Sequence, residues 1–123
     1  MSKRLDEPVG SVGYDGLFVE NVPEADVITV KLTADGVVKR GTVITGTPGG
    51  ADFAALAAAA EDAKALYVLA EDVDTAEDVV GIAYRTGHFN RGALIVAKGY
   101  TMTAADEEML RKSGILLGDA LDY

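Results

Sequence analysis

The sequence predicts a mainly β fold of the α+β class: a compact, small, barrel- or sandwich-like domain with one or two short helices and an extended N-terminal arm. Three observations favour this class: short β-branched runs, turns rich in Gly and Asp between them, and one well-capped helical segment near the C-terminus. The 123 residues suffice for one hydrophobic core. We therefore predict an arm over residues 1–24 and a single domain over residues 25–123.

The predicted arm combines regularly spaced glycines with bulky apolar side chains. Gly10, Gly13 and Gly16 match neither a helical nor a strand period, and glycine makes ordering costly in entropy. A tail without a binding surface is normally poorer in bulky apolar residues. The arm is therefore predicted to dock on a partner or on a neighbouring subunit, and the alternative is that it packs on its own domain as an edge strand. Its candidate anchors are Val12, Tyr14, Leu17, Phe18 and Val19.

Runs of β-branched residues predict the strands of the domain. Asp26–Leu32 alternates between two faces, which predicts a half-buried strand ending in an Asp-Gly turn. The other predicted strands are Val37–Ile44 with a bend at Gly41, Leu66–Ala70, Val79–Thr86, Ala93–Ala97 and Ile115–Leu117. An acidic turn is predicted over Glu71–Asp78.

Two segments carry helical signals. Ala54–Lys64 is rich in alanine and predicts a short helix near residues 55–63, although its glycine-rich flanks also allow an irregular loop. Thr103–Ser113 carries the stronger signal, because Thr103 and Asp106 have the spacing of a capping box. Acidic residues in the first turn and basic residues in the last suit the helix dipole.

Charge and composition exclude several kinds of partner. Twenty acidic residues against eleven basic ones give a net charge of -9, whereas nucleic acids and anionic membranes attract clustered Lys and Arg. No apolar window has the length and purity of a membrane span, and the N-terminus lacks the apolar region of a signal peptide. The absence of cysteine excludes disulfides and thiolate zinc sites.

The sequence offers no catalytic set. His88 is the only histidine and follows a predicted strand, so a turn residue is the simpler interpretation; a base in a small-molecule-binding module or small enzyme is the alternative. The acidic turn lacks the EF-hand pattern, and Gly46–Gly50 lacks the Lys-Ser/Thr of a P-loop. We therefore predict that the protein is not an enzyme and has no cofactor or metal site.

Four segments taken in order resemble a known family. Leu66–Phe89 runs from a hydrophobic strand through an acidic turn to a Gly-Ile step and then Arg-Thr-Gly-His-Phe. Lys39–Val43 precedes it, and Asn90–Leu94 and Leu110–Ile115 follow. Together they resemble the lambda-type head decoration proteins of tailed phages and their prophage relatives.

The resemblance implies a capsid decoration protein. It would form homotrimers at local three-fold positions on the outer capsid surface of the virion, bind the major capsid protein of the expanded head, and reside in the host cytoplasm before assembly. The arm would order as it docks on the shell. Arg85, His88, Phe89 and Asn90 then become candidate contacts between subunits or with the shell. A phage tail or fibre component with a similar domain remains an alternative.

Overall fold

A computed structural model describes residues 17–20, 25–33, 36–60 and 63–118. These residues are mostly β with one α-helix, which confirms the predicted fold class. The elements in chain order are β1 (Phe18–Glu20), β2 (Asp26–Lys31), β3 (Val37–Val38), β4 (Val43–Gly46), β5 (Ala54–Ala55), β6 (Ala65–Leu69), β7 (Val73–Asp74), β8 (Val80–Asn90), α1 (Ala104–Lys112) and β9 (Ile115–Gly118). No helix in the described ranges is long and apolar enough to cross a membrane.

Strand β8 is the centre of a seven-stranded sheet, because both of its edges are paired. In its first half it lies between β2 and β6, and Tyr84 is opposite both Val27 and Val68. In its second half it lies between antiparallel β1 and parallel β9, which flank Phe89 on its two sides. The sheet continues from β6 through β4 to β5, and β3 pairs with β7 in a separate two-stranded sheet.

The two faces of the large sheet bury two hydrophobic clusters. The helix-side cluster consists of Leu17, Val43, Leu56, Ala60, Leu66, Val68, Phe89, Leu110 and Ile115. The small-sheet cluster consists of Val30, Leu32, Val38, Ile44, Phe53, Leu69, Val73 and Ala83. Strands β4 and β6 contribute to both clusters, because successive side chains of a strand point to opposite faces. This is why the sequence of β6 is continuously apolar rather than alternating.

Gly81 allows the small sheet to pack closely on β8. A Cβ atom at this position would lie 2.6 Å from Cγ2 of Val73 on β7, closer than Cβ atoms approach other carbons. The Gly-Ile step of the sequence therefore marks a close approach between two sheets, as glycine in a strand interior often does.

Helix α1 forms as the sequence predicts. The hydroxyl of Thr103 accepts a hydrogen bond from the Asp106 N–H, and the Asp106 carboxylate accepts one from the Thr103 N–H, which completes the capping box. Gly114 follows the helix with φ of 99°, the left-handed conformation that glycine adopts after a helix C-terminus.

The predicted helix near residues 55–63 is wrong. Ala54 and Ala55 form β5, and residues 56–59 are not helical; the local bond of the described part is a 3-10-type one from the Ala63 N–H to the Ala60 carbonyl at 3.0 Å, and the other backbone bonds are long-range. The Leu56 N–H donates to the Val43 carbonyl at 2.8 Å, and the Leu56 carbonyl accepts from Ala97 N–H at 2.9 Å. Helix propensities differ by only fractions of a kcal/mol per residue, so these bonds and the burial of Leu56 outweigh them. Residues 61 and 62 lie outside the described residues.

Other predicted boundaries also differ. Strand β8 continues to Asn90, so residues 87–90 are strand rather than turn. The predicted strand over 93–97 is wrong. A 3-10 helix spans Arg91–Ala93, and Ile95 then forms an isolated β-bridge with Thr42, the residue before β4. The acidic segment 71–78 contains the short strand β7. The predicted bend at Gly41 is present with φ of 92°, and it separates β3 from β4.

Candidate functional site

Three of the five candidate arm anchors lie on the domain's own sheet. Leu17 is 2% exposed in the helix-side cluster, and Val19 is half-buried on β1. The ring of Phe18 packs against two aromatic rings of β8 at centroid distances of 4.9 and 5.0 Å. This is the own-domain packing that the sequence left open as the alternative. Val12 and Tyr14 lie outside the described residues.

The four candidate contact residues of β8 have different surroundings. Phe89 is fully buried in the helix-side cluster, so its side chain cannot contact another subunit or the shell as predicted. Arg85 is exposed and forms an ion pair with Asp26 at 2.5 Å. Asn90 is half-buried, and its side chain accepts from a backbone N–H of the following 3-10 helix at 3.1 Å. His88 is half-buried and lines a groove.

This groove, the terminal groove, has a volume of about 380 Å³ and lies between α1, β9 and the end of β8. Its lining residues are His88, Arg91, Ala104, Glu107, Glu108, Arg111, Leu116 and Leu117. Arg91 Nε donates to both carboxylate oxygens of Glu107 at 3.0 Å, and Arg111 pairs with Glu108 on the helix. The Arg111 hydrogen bond lowers the pKa of Glu108. The groove therefore presents paired charges around a partly apolar floor.

The described chain enters and leaves the sheet beside this groove. The Asn90 N–H donates to the Leu17 carbonyl at 2.6 Å, and β1 continues with Phe18 opposite Phe89. Because β1 is antiparallel and β9 parallel to β8, the start of β1 and the end of β9 at Gly118 lie at the same end of the sheet. The described chain therefore begins, at Leu17, next to the terminal groove.

A buried carboxylate ties α1 to the segment that follows β5. Asp106 is 1% exposed, and it accepts hydrogen bonds from the Ala60 N–H at 2.8 Å, the Thr103 N–H at 3.0 Å and the Tyr100 hydroxyl. Burial by itself raises the pKa of Asp106, but these hydrogen bonds outweigh burial and hold the pKa below its usual value. The same bond to Asp106 raises the pKa of Tyr100.

Sequence reasoning identified the Thr103–Asp106 pair but missed the bond to Ala60 and the ion pair between Arg91 and Glu107. The first pair has a fixed local spacing, whereas the other two join residues that only the fold brings together. The carboxylates of the terminal groove are engaged by arginines, and the described residues hold no cluster of three or more metal-ligating side chains. The arrangement suits contact with another polar surface.

Comparison with known proteins identifies a family. The model of the family described as bacteriophage lambda head decoration protein D matches residues 12–116, which is more than four-fifths of the chain. The match includes Val12 and Tyr14, all of β8 and most of the terminal groove. A search of curated proteins returns no match.

Proposed function

Because this chain belongs to the lambda head decoration protein D family, whose members are structural proteins of the phage head, we propose that it binds as a homotrimer to the major capsid protein on the outer surface of the expanded head and stabilises it. The family match over residues 12–116 is the observation that carries this proposal. The net charge of -9 supports an outer position, because it is unsuited to contact with packaged DNA.

The end of the domain that carries the terminal groove faces the shell in this proposal. Residues 1–16 precede Leu17, whose carbonyl accepts a hydrogen bond from the Asn90 N–H at this end. Leu17 and Phe18 are packed into the domain, so an arm that binds the shell would be fixed to the sheet at its base. Within residues 1–16, Val12 and Tyr14 are the proposed apolar anchors, and the groove with His88 supplies the second contact.

The stabilisation is a mass-action effect, because a ligand that binds only the assembled shell shifts the equilibrium towards it. An arm that adds a strand to a shell protein would gain main-chain hydrogen bonds by β-augmentation. Fixing each arm residue costs about 1–2 kcal/mol of conformational free energy. Burying a large apolar side chain returns roughly 1.5–3 kcal/mol, so the arm needs its anchors as well as its backbone bonds. Before assembly the protein would reside in the host cytoplasm.

Deletion of residues 1–16 tests the arm without removing β1. The shortened protein should keep its melting temperature, because the described core begins at Leu17, and should lose most of its affinity for expanded, undecorated capsids in co-sedimentation. Val12→Ser with Tyr14→Ser should reproduce much of this loss, whereas Lys3→Ser with Arg4→Ser should not. Equal binding by the deleted and full-length proteins would refute arm docking. Failure of the full-length protein to bind expanded capsids would refute the decoration role itself.

A pair of neighbouring alanines tests the terminal groove. Ala104 and Ala105 are both exposed in the first turn of α1, but only Ala104 lines the groove. Ala104→Glu should weaken capsid binding, because it places an uncompensated charge in the contact. Ala105→Glu introduces the same charge on the same turn and should bind normally. Identical capsid binding by the two variants would contradict the proposed orientation on the shell.

A further inference from the structure

Large hydrophobic side chains remain exposed at two places in the described residues. Three of them, Val27, Val80 and Ile82, lie on β2 and the first half of β8. The other two, Val37 and Ile95, are 52% and 42% exposed and line one groove. A groove that holds two exposed aliphatic side chains is a candidate site for an apolar segment of chain.

This second groove, the β3 groove, has a volume of about 320 Å³ and shares no lining residue with the terminal groove. Its lining residues are Val37, Val38, Lys39, Thr42, Ala55, Ile95, Val96, Ala97 and Lys98. Asp72 approaches Lys39 Nζ at 3.8 Å, so one of the two lining lysines has an acidic neighbour. The lining is therefore mainly apolar, and its charges are a minor part of it.

The described chain begins beside the β3 groove. Leu17 packs on Gly41, because its Cδ1 lies 3.4 Å from the position that a Cβ of Gly41 would take. The Gly41 carbonyl accepts a hydrogen bond from the Ile95 N–H at 3.0 Å, and Thr42 forms an isolated bridge with Ile95. Thr42 and Ile95 both line the groove. The packing site of Leu17 and one wall of the groove are therefore adjacent stretches of the same backbone.

The length of chain before Leu17 favours this groove over the exposed face of β2 and β8. An extended chain spans about 3.3–3.6 Å per residue, so Tyr14 lies at most about 10 Å and Val12 at most about 17 Å from Leu17. The Leu17 carbonyl is bonded to the Asn90 N–H. Ile82 precedes Asn90 by eight positions of the same strand, a distance of about 26 Å. Neither arm residue can cover Ile82, whereas the groove begins next to Leu17.

We propose that residues 12–16 of the protein that is not bound to a partner fold back into the β3 groove, where Val12 and Tyr14 cover its exposed aliphatic side chains. The contact is intramolecular, so the short tether to the sheet gives the arm a high effective concentration at the groove and weak contacts suffice. Asp15 is the one charged residue of this segment, and its charge is opposite to that of Lys98 in the groove.

The fold-back acts as a strap that shields apolar arm residues until a partner takes them. A contact of this kind has to open readily, so it belongs with the least stable local interactions of the fold, and the docked form outnumbers the open form only about two to one. Such an equilibrium adds little to the stability of the domain, whose core begins at Leu17. The strap concerns the unbound protein and does not depend on the decoration role.

Thiol labelling of the unbound protein tests the strap, because the chain has no cysteine of its own. Ile95→Cys should react with a maleimide about threefold more slowly in the full-length chain than after deletion of residues 1–16. Ile82→Cys is the matched control, because both isoleucines are 42% exposed but only Ile95 lines the groove. The control thiol should react at the same rate in both chains. Equal rates for Ile95→Cys in the two chains would overturn the inference.

Disulfide trapping tests which residues meet. On mild oxidation at low protein concentration, Val12→Cys with Ile95→Cys should form a disulfide within one chain, and Tyr14 remains available to dock. Val12→Cys with Ile82→Cys should stay reduced, because the second thiol is out of reach. Absence of a disulfide in the first pair would overturn the strap, and so would a disulfide that joins two chains, which would place the arm on another copy. Neither measurement uses a capsid, so these failures are distinguishable from failure of the decoration role.

Discussion

Replacing Asp106 with asparagine tests the buried link between α1 and the segment after β5. The carboxylate accepts from three donors at once: the N–H groups of Ala60 and Thr103 and the Tyr100 hydroxyl. Asparagine keeps one acceptor oxygen and replaces the other with an NH₂ group. One donor would then face another donor in a site that is 1% exposed.

The expected loss follows from these contacts. A hydrogen bond to a charged group contributes about 1.5–3 kcal/mol, and a buried N–H left without an acceptor costs about 1–3 kcal/mol. The negative charge near the helix N-terminus contributes a further 0.3–1 kcal/mol or so. Because the Tyr100 hydroxyl can rotate and the site can relax, we expect Asp106→Asn to lower the free energy of unfolding by about 2–4 kcal/mol at neutral pH.

The assay is urea unfolding followed by circular dichroism, repeated from neutral to acidic pH. The folded-state pKa of Asp106 is lowered, so its stabilisation is present above the unfolded pKa of about 3.9 and disappears as pH falls through the folded pKa. The difference in free energy of unfolding between wild type and Asp106→Asn should therefore become smaller below about pH 4. Glu108→Gln removes the same charge from an exposed position of α1 and should change stability little. The reasoning would be refuted if Asp106→Asn and Glu108→Gln lost equal stability. It would also be refuted if Asp106→Asn remained as much less stable than wild type at acidic pH as at neutral pH.

Three further substitutions probe the cap, the core and the packing between the sheets. Thr103→Ala should lower stability by about 1 kcal/mol through loss of the N-cap bond, and an unchanged thermal midpoint would contradict that role. Phe89→Ala should cost about 3–5 kcal/mol in a urea titration, because its fully buried ring joins β8 to the helix-side cluster; a loss below 1 kcal/mol would mean that the site is not packed as described. Gly81→Ala should cost roughly 1–3 kcal/mol, because its new Cβ would meet Val73, and Val73→Ala in the same chain should recover part of the loss caused by the clash.

Local signals predicted the parts of the fold that depend on neighbours in sequence. The capping box of Thr103 and Asp106 acts within one turn, and Gly114 ends the helix through its own backbone conformation. The alternation of β2 likewise reports which residues face the small-sheet cluster. In each case the energetic preference is complete within a few residues, so the sequence alone is sufficient.

The features that the sequence did not predict correctly depend on contacts between residues far apart in the chain. The alanine-rich run after Phe53 has helical propensity, but β4 pairs with Ala54 and Ala55, and Asp106 bonds Ala60 across 46 positions of sequence. Residues 87–90 look like a turn because of Gly87, yet β1 and β9 hold them as strand from both sides. The terminal groove was not foreseen for the same reason, since Arg91 meets Glu107 only after α1 has packed. Short-range propensities are weak compared with such tertiary pairing.

The pairing of Phe89 with both Phe18 and Leu117 makes this domain suitable for circular permutation. Strands are spaced about 4.8 Å apart, so β1 and β9 lie about 10 Å from each other across β8. A linker of a few residues would therefore join the end of β9 to the start of β1, and new termini could open in the exposed turn at Thr47–Gly49 without cutting a strand. In such a permuted chain, a cargo fused at the new termini would leave the domain from the exposed turn between β4 and β5.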